Sequence, residues 1–483
     1  MKTFLFIIGK VLTGILVGAI VALLISLARL QMLPILLIVA IGLVLAGAAA
    51  CVLIMTWSGK GKIKMPAGCV LAVVLAVALV IGTVYVSKTL DTLREISNVQ
   101  TELVHVGIYV RSDDKNDYND VATTCRHGIL RQLDRESTDL AIGQINKQLG
   151  TSLSCKEYDR LPELVNALLN GEVDAIILNQ AYLDMLHEMI GFEGIYDRIR
   201  ETALKQVEVE IEQEQEKEED AQAVKLAPFV IYISGIDTRG SISNRSRSDV
   251  NILAAVNPTT RKIVLISTPR DYYVPLSISN GVPDKLTHAG IYGVNVSMDT
   301  LGMLYDVDMN YYFRVNFSGF EKIIDALGGV TVNSDYNFRA DEYYYQKGKN
   351  KLGGKAALAF CRERYAFSAG DRQRGKHQME VIRAVIDKAM SPALLQNYTK
   401  ILDAVKGSFE TSMPVELMAA LVADQLKNGG TWEIENYSVD GTGDRQLTYS
   451  MSQKLYVMQP NMETVEHAKS LIQGVLNKKT ATP

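Results

Sequence analysis

The chain has 483 residues, 48% of them hydrophobic, with 50 Lys and Arg against 54 Asp and Glu for a net charge of −4. That length excludes one ordinary domain and leaves room for a membrane segment plus two folded units. The near-neutral total conceals three regions: residues 1–87 carry six basic residues and no acidic one, residues 88–224 carry 14 basic against 28 acidic, and the remainder is mildly basic, as suits an anionic ligand.

The N-terminal region reads as membrane. Apolar stretches at 11–28, 32–57 and 65–86 each reach the roughly 18–20 residues that cross a bilayer as a helix. A cleaved signal peptide does not account for three of them. Lys60, Lys62 and Lys64, with Lys2 at the start, mark the two sides retained in the cytoplasm, and only Arg29 opposes this. Three spans that start inside end outside, so everything after residue 86 is expected beyond the membrane. The five cysteines set up no disulfide framework: Cys51 and Cys69 fall in the spans, Cys361 lies in an apolar strand-like run, and spacing alone does not pair Cys125 with Cys155.

A short polar connector is expected over 88–100. Strands at 104–110 and 173–178 then alternate with helical stretches near 121–133, 161–169 and 182–189, the pattern of a small α/β unit without a catalytic motif. Residues 207–220 are crowded with Glu and read as an edge strand running into an exposed acidic linker. Beyond it, apolar runs at 229–234, 250–256 and 263–267 alternate with helical periodicity at 320–327, at 378–389 and from 392 into the 420s. The expected organisation is α/β: a three-helix membrane anchor (1–87), an accessory α/β domain (88–205), an acidic linker (206–225), and an α/β sandwich with a central mixed sheet and a C-terminal extension (226–483).

No GxxxxGK[ST] loop and no GxGxxG after a strand is present, so nucleotide binding is not indicated. Instead, charged groups collect at strand ends. Asp237 and Arg239 follow the first strand, Arg247 and Asp249 precede the second, and Arg270 and Asp271 end the third. Arg362, Glu363 and Arg364 close the run at 356–360; Asp371 and Arg374 come next, with Gln378 one helical turn beyond Arg374. Strand ends are where α/β sheets bind ligands. Several arginine forks together suit a diphosphate. Aspartates beside an anion call for a divalent cation between them; magnesium takes one or two carboxylates plus phosphate oxygens and water, and Asp237 and Asp249 would supply those carboxylates. Arg362 and Arg364 are read as alternating along a strand, with both side chains on one face.

Residues 228–390 carry GIDTRG at 235–240, RSD at 247–249, STPRD at 267–271, DKLTHAG at 284–290, IIDALGGVTV at 323–332, LGGKAALAFCRERYAF at 352–367 and GDRQRGKHQ at 370–378. In order and spacing this resembles the catalytic domain of the LytR–CpsA–Psr family, and the three-span anchor with an extra domain resembles its streptococcal capsule-assembly branch. The resemblance implies a magnesium-dependent phosphotransferase. It would move a phosphoglycan, capsule or wall-teichoic-acid-like, from a polyprenyl diphosphate carrier to a peptidoglycan hydroxyl and release polyprenyl phosphate. It further implies the outer face of a Gram-positive cell membrane, polymer export and assembly proteins as neighbours, and no nucleic acid.

Carried over position by position, the resemblance implies that Asp237 and Asp249 hold Mg2+. Arg247, Arg270, Lys285, Arg362, Arg364 and Arg374 bind the diphosphate with help from Gln378. Asp237, Asp249, Arg270, Arg362, Arg364 and Asp371 form the catalytic set. Thr287 stands where the family has Asn, two residues after Lys285. The base for the acceptor hydroxyl is Asp249 or Asp371. Asp271, Arg239 and Glu363 have structural roles as ready alternatives, and His288 reads as a packed or capping histidine rather than a base. Hydrolysis of the same lipid would use the same residues. A membrane-bound regulator would need a cytoplasmic DNA-binding element, for which the cytoplasmic segments are too short.

Overall fold

The computed structural model describes residues 2–30, 33, 35–57, 64–97, 101–116, 118, 122–211, 226–236, 241–389, 406–451 and 454–477. The chain divides into two compact units, one made of Met1–Ser97, Glu219–Leu226 and Met413–Thr431, the other of the rest.

In the first unit, helices α1 (Lys2–Leu30), α2 (Ile35–Trp57) and α3 (Lys64–Ser97) are each long and apolar enough to cross a membrane. Leu16, Val52 and Ala72 are buried between them, while Leu36, Leu43 and Val44 face outward. The helices approach closely because small residues sit at the contacts: a Cβ on Gly68 would lie 2.8 Å from that of Met55, and the Thr13 and Thr56 hydroxyls are 3.3 Å apart. The polar connector expected over 88–100 is instead largely helix, since α3 continues to Ser97. Thr89 and Thr92 donate back to the Tyr85 and Lys88 carbonyls, both at 2.9 Å, so these polar residues are accommodated without ending the helix. The helix Val415–Asn428 belongs to the same unit.

The second unit opens with a five-stranded sheet of order β3-β2-β4-β1-β5, built from β1 (Thr101–Arg111), β2 (His127–Leu130), β3 (Cys155–Tyr158), β4 (Ala175–Asn179) and β5 (Ile199–Glu210). Helices α4 (Arg135–Leu149), α5 (Leu161–Leu169) and α6 (Ala181–His187) accompany it. The strand β5 is an edge, as the Glu-rich pattern suggested, and the acidic stretch at 212–225 lies outside the described residues. The helix expected near 121–133 is not formed there: His127–Leu130 is a buried strand, a short apolar run whose type periodicity cannot decide.

The second sheet has six strands, order β16-β11-β6-β7-β8-β17, with parallel pairs β11/β6 and β8/β17 and antiparallel pairs elsewhere. Its strands are β6 (Phe229–Ile236), β7 (Ser248–Asn257), β8 (Lys262–Ser267), β11 (Tyr311–Asn316), β16 (Phe409–Thr411) and β17 (Glu433–Ser438). Short ladders pair β9 (Tyr273–Pro275) with β10 (Pro283–Lys285), β12 (Val330–Ser334) with β15 (Gly348–Leu352), β13 (Phe338–Ala340) with β14 (Tyr343–Tyr345), and β18 (Gly441–Leu447) with β19 (Lys454–Pro460). The helices are α7 (Leu286–Ala289), α8 (Val294–Tyr305), α9 (Phe317–Ala326), α10 (Gly354–Arg362), α11 (Asp371–Ala389) and α12 (Met462–Leu476). The period of two assigns the sheet faces: Val230 and Tyr232, Leu253 and Ala255, Val264 and Ile266 all enter one core with Leu301, Tyr305, Val465 and Ile472 from α8 and α12. A central sheet covered by helices is the expected sandwich.

Arg362 and Arg364 do not alternate along a strand. The run before them is the helix α10, and only the residue between, Glu363, is extended, with φ −64° and ψ 129°. Ala356, Ala357, Leu358 and Ala359 are strong helix formers, and this propensity outweighs the apolar continuity that suggested a strand. Cys361 accordingly lies in that helix, and all five cysteines are free.

The two sheets are joined by buried charge. Arg314 on β11 pairs with its cross-strand neighbour Glu410 at 2.7 Å and with Glu102 of β1, and Glu102 also accepts from Arg245 at 2.9 Å. Arg314, Glu410 and Glu102 are all under 5% exposed. Burial alone would push the Arg314 guanidinium down; Glu102 and Glu410 more than offset it and hold it above its ordinary value. Main-chain bonds lie alongside: Leu103 N–H donates to Ser243 O and Arg245 N–H to Leu103 O, both 2.8 Å. Removing one member of such a group leaves a buried charge short of a partner, which costs about 3–5 kcal/mol. Glu102→Ala should therefore lower the stability of the solubilised chain by about that amount, read by denaturant or thermal unfolding; an unfolding curve superimposable on that of the wild type would contradict it.

Candidate functional site

The site forms at one end of the second sheet. Asp249 stands at the start of β7, Arg270 follows the end of β8, and α11 delivers Asp371, Arg374 and Gln378. These residues, with Ser267, line one cavity. The helix α11 reaches this position because residue 375 is glycine: a Cβ there would come within 2.5 Å of Ser267 Oγ.

Arginine and carboxylate are matched throughout. Arg270 Nη1 donates to both oxygens of Asp249 at 3.0 and 2.9 Å, and Thr287 Oγ1 is 3.3 Å from one of them. Arg270 Nε is 3.7 Å from Asp271 and makes no hydrogen bond, although it is buried. Asp249 and Asp271 hold the Arg270 guanidinium above its ordinary value against burial, which alone would lower it. Arg374 pairs with Asp371 one turn before it on α11. Burial pushes the Asp371 carboxyl above its ordinary value, while Arg374 pulls the other way. Burial also lowers Arg374, against the effect of Asp371. Gln378 Nε2 donates to Cys361 O at 3.4 Å, bringing α11 to the end of α10.

The two arginines after α10 differ from these. The Arg362 guanidinium lies over the Phe317 ring, 4.7 Å from its centre, and Arg364 donates to the Tyr365 hydroxyl at 2.7 Å. Tyr365 is 85% exposed, so this aromatic–guanidinium pair stands in solvent. Both guanidiniums thus contact aromatic groups, which do not neutralise a positive charge.

Lys285 and Arg247 are paired with other carboxylates. Lys285 Nζ lies 2.9 Å from Asp271 and 2.8 Å from Glu188, and Arg247 Nη1 is 2.7 Å from the other oxygen of Glu188. Glu188 follows α6 of the first sheet's domain, and nothing in its sequence surroundings marks it. Asp271 pairs with Lys285 and lies 3.7 Å from the nearby Arg270. His288 is fully buried between Asp284, at 2.7 Å, and Ser450, at 3.1 Å, as a packed histidine. Glu363 accepts from Ala366 N–H in the turn after α10. Asp237 and Arg239 lie outside the described residues. The structure thus gathers Asp249, Arg270, Asp371, Arg374 and Gln378 around one cavity, while Arg247 and Lys285 meet at Glu188.

Residues 197–470 match the LytR_cpsA_psr family. The polyisoprenyl-teichoic acid–peptidoglycan teichoic acid transferase TagU of Bacillus cereus is 37% identical over 195 residues, which span 40% of this chain and 63% of that protein. The enzyme of the same name from Enterococcus faecalis is 33% identical over 45% of this chain and 72% of its own length. Among solved structures, Bacillus subtilis TagV is similar over 53% of this chain and 99% of that one, at 26% identity and a TM-score of 0.45. The family match takes in more than half of the residues, and residues of three of the motifs that resemble it, RSD, STPRD and GDRQRGKHQ, line the cavity: the chain belongs to the LytR–CpsA–Psr family.

Proposed function

We propose that this protein transfers a phosphoglycan from a polyprenyl diphosphate carrier to a hydroxyl of peptidoglycan on the outer side of the membrane, beside the proteins that export and assemble the polymer. The observation that carries this reading is the cavity in which Arg270 and Arg374 converge with Asp249 and Asp371. Its charge and planar donors suit a diphosphate, and the buried, unbonded Nε of Arg270 is a donor such a ligand would use. The names of the relatives agree in reaction class, and three membrane-length helices agree with a lipid-linked substrate.

The chemistry follows from the charges. The acceptor oxygen attacks the sugar-proximal phosphorus, forming a phosphodiester as the bond to the polyprenyl phosphate breaks. Arg270 and Arg374, with Arg362 and Arg364, offset the charge that grows on the leaving phosphate. The hydroxyl proton goes to a carboxylate. Asp249 spends both oxygens on Arg270, whereas burial raises the proton affinity of Asp371, so Asp371 is the better base. A magnesium ion needs only one or two carboxylates beside phosphate oxygens and water. Asp249, whose oxygens are here shared with Arg270, would be one such carboxylate, and Asp237, outside the described residues, would be the other. When bound, the ion supplies positive charge to the phosphate oxygens.

Three outcomes test this reading. Arg362→Ala with Arg364→Ala should leave thermal stability almost unchanged and remove transfer, since each charged contact to phosphate contributes about 1.5–3 kcal/mol; Lys at either position should rescue poorly. Polymer attachment at the normal rate would refute the assignment. Chelation should stop transfer reversibly, and Asp249→Ala should stop it permanently; full-rate transfer by chelated enzyme would remove the metal from the proposal. Finally, Asp371 must be ionised to act as base, so transfer should fall as pH drops through its raised pKa, and Asp371→Asn should abolish both the activity and that acid limb. An unchanged pH–rate profile in Asp371→Asn would exclude it as the base.

A further inference from the structure

Glu188 is an acidic side chain of the accessory domain that meets two of the cations expected to bind substrate at once. One carboxylate oxygen is 2.7 Å from Arg247 Nη1, the other 2.8 Å from Lys285 Nζ. Asp184 of the same segment lies 3.9 Å from Arg247 Nη2 and adds negative charge there. The Lys285 side chain is only 5% exposed and is clasped from its other side by Asp271 at 2.9 Å. Both of its acidic neighbours hold it protonated against burial, which alone would lower its pKa. For Glu188 the balance is reversed: burial alone would raise it, and Lys285 and Arg247 bring it below its ordinary value, so it stays an anion at working pH.

These contacts differ in kind from the pairs around the cavity. Asp249 and Asp371 pair with Arg270 and Arg374 within the catalytic fold itself, whereas Glu188 stands on a different sheet's domain, just after α6. With Asp271 and Glu188 in place, the charges of Lys285 and Arg247 are cancelled locally. The two cations that the motif pattern assigns to a phosphate ligand are held as a phosphate would hold them, by an anion with two forked oxygens.

We propose that Glu188 is a specificity-determining residue of this site: an internal anion from the accessory domain that withholds Arg247 and Lys285 from the diphosphate. The substrate is then received on Arg270, Arg362, Arg364 and Arg374, and its affinity is set by the accessory domain as well as by the catalytic one. A ligand that engages Arg247 or Lys285 has to displace a carboxylate that is held by two charge-assisted bonds.

The inference rests on the diphosphate reading of the site, and its test separates the two. The full chain in detergent is titrated with farnesyl diphosphate, a soluble prenyl diphosphate, at several salt concentrations. Glu188→Gln keeps the side chain's shape and removes its charge. It should bind the probe on the order of tenfold more tightly, the gain from one freed charge-assisted contact, with a steeper loss of affinity as salt rises. Adding Arg247→Ala to Glu188→Gln should cancel the gain. Glu188→Asp, whose shorter carboxylate cannot span both cations, should give a smaller gain in the same direction and serves if the Gln variant folds poorly. Equal or weaker binding by Glu188→Gln and Glu188→Asp, with melting temperatures like the wild type, would overturn the proposal. The variant combining Arg362→Ala and Arg364→Ala provides the control: if it binds the probe as well as the wild type does, the diphosphate reading itself falls, whatever the Glu188 variants do.

Discussion

Arg314 is almost wholly buried, and its charge has to be answered inside the protein. It is answered from two sides, by Glu410 in its own sheet and by Glu102 in the sheet of the accessory domain. Because neither solvent nor a mobile side chain can substitute for those carboxylates, the two sheets are tied at this point. Glu102 extends the tie to Arg245, two residues before Arg247, so the strand that carries Asp249 begins from an anchored loop. The placement of the cavity residues therefore depends on a strand outside the sheet that carries them.

The same logic of matched charge runs through the cavity. Bringing Arg270 and Arg374 into a partly buried space would be costly without Asp249 and Asp371 beside them. Those carboxylates keep the arginines in place when no ligand is near. Burial raises the Asp371 carboxyl. Asp249 is committed to one guanidinium through both oxygens. Two carboxylates a short way apart are thereby suited to different tasks. Arg362 and Arg364 are supported by Phe317 and Tyr365 instead, which hold a guanidinium without neutralising it.

Much of this was legible in the sequence because burial leaves a simple mark. The strands β7 and β8 are largely runs of Val, Ile, Leu and Ala, and Asp249 at the start of one and Arg270 after the other reach the site from strand ends. Where local propensity and pattern disagree, the reading failed. The Ala-rich run before Arg362 forms a helix, and the stretch after residue 88 continues α3. Glu188 could not have been found in this way: a glutamate after a short helix is ordinary, and its meaning lies only in two cations about 60 and 100 positions further along the chain. Thr287 did carry a signal, as the residue that departs from the family's Asn, and it sits against Asp249.

The main-chain bonds between Leu103 and residues 243 and 245 bear on how the accessory domain can be studied. Deleting that domain would take away not only a neighbouring module but also the hydrogen-bond partners of the loop leading to Arg247 and the carboxylate facing Arg245 and Arg314. Buried donors and acceptors would be stripped at the edge of the catalytic fold. A shortened chain that proved inert would therefore say little about recognition by the missing part. Its silence would be that of a loop without its scaffold, and only substitutions that keep β1 in place can separate support from selectivity.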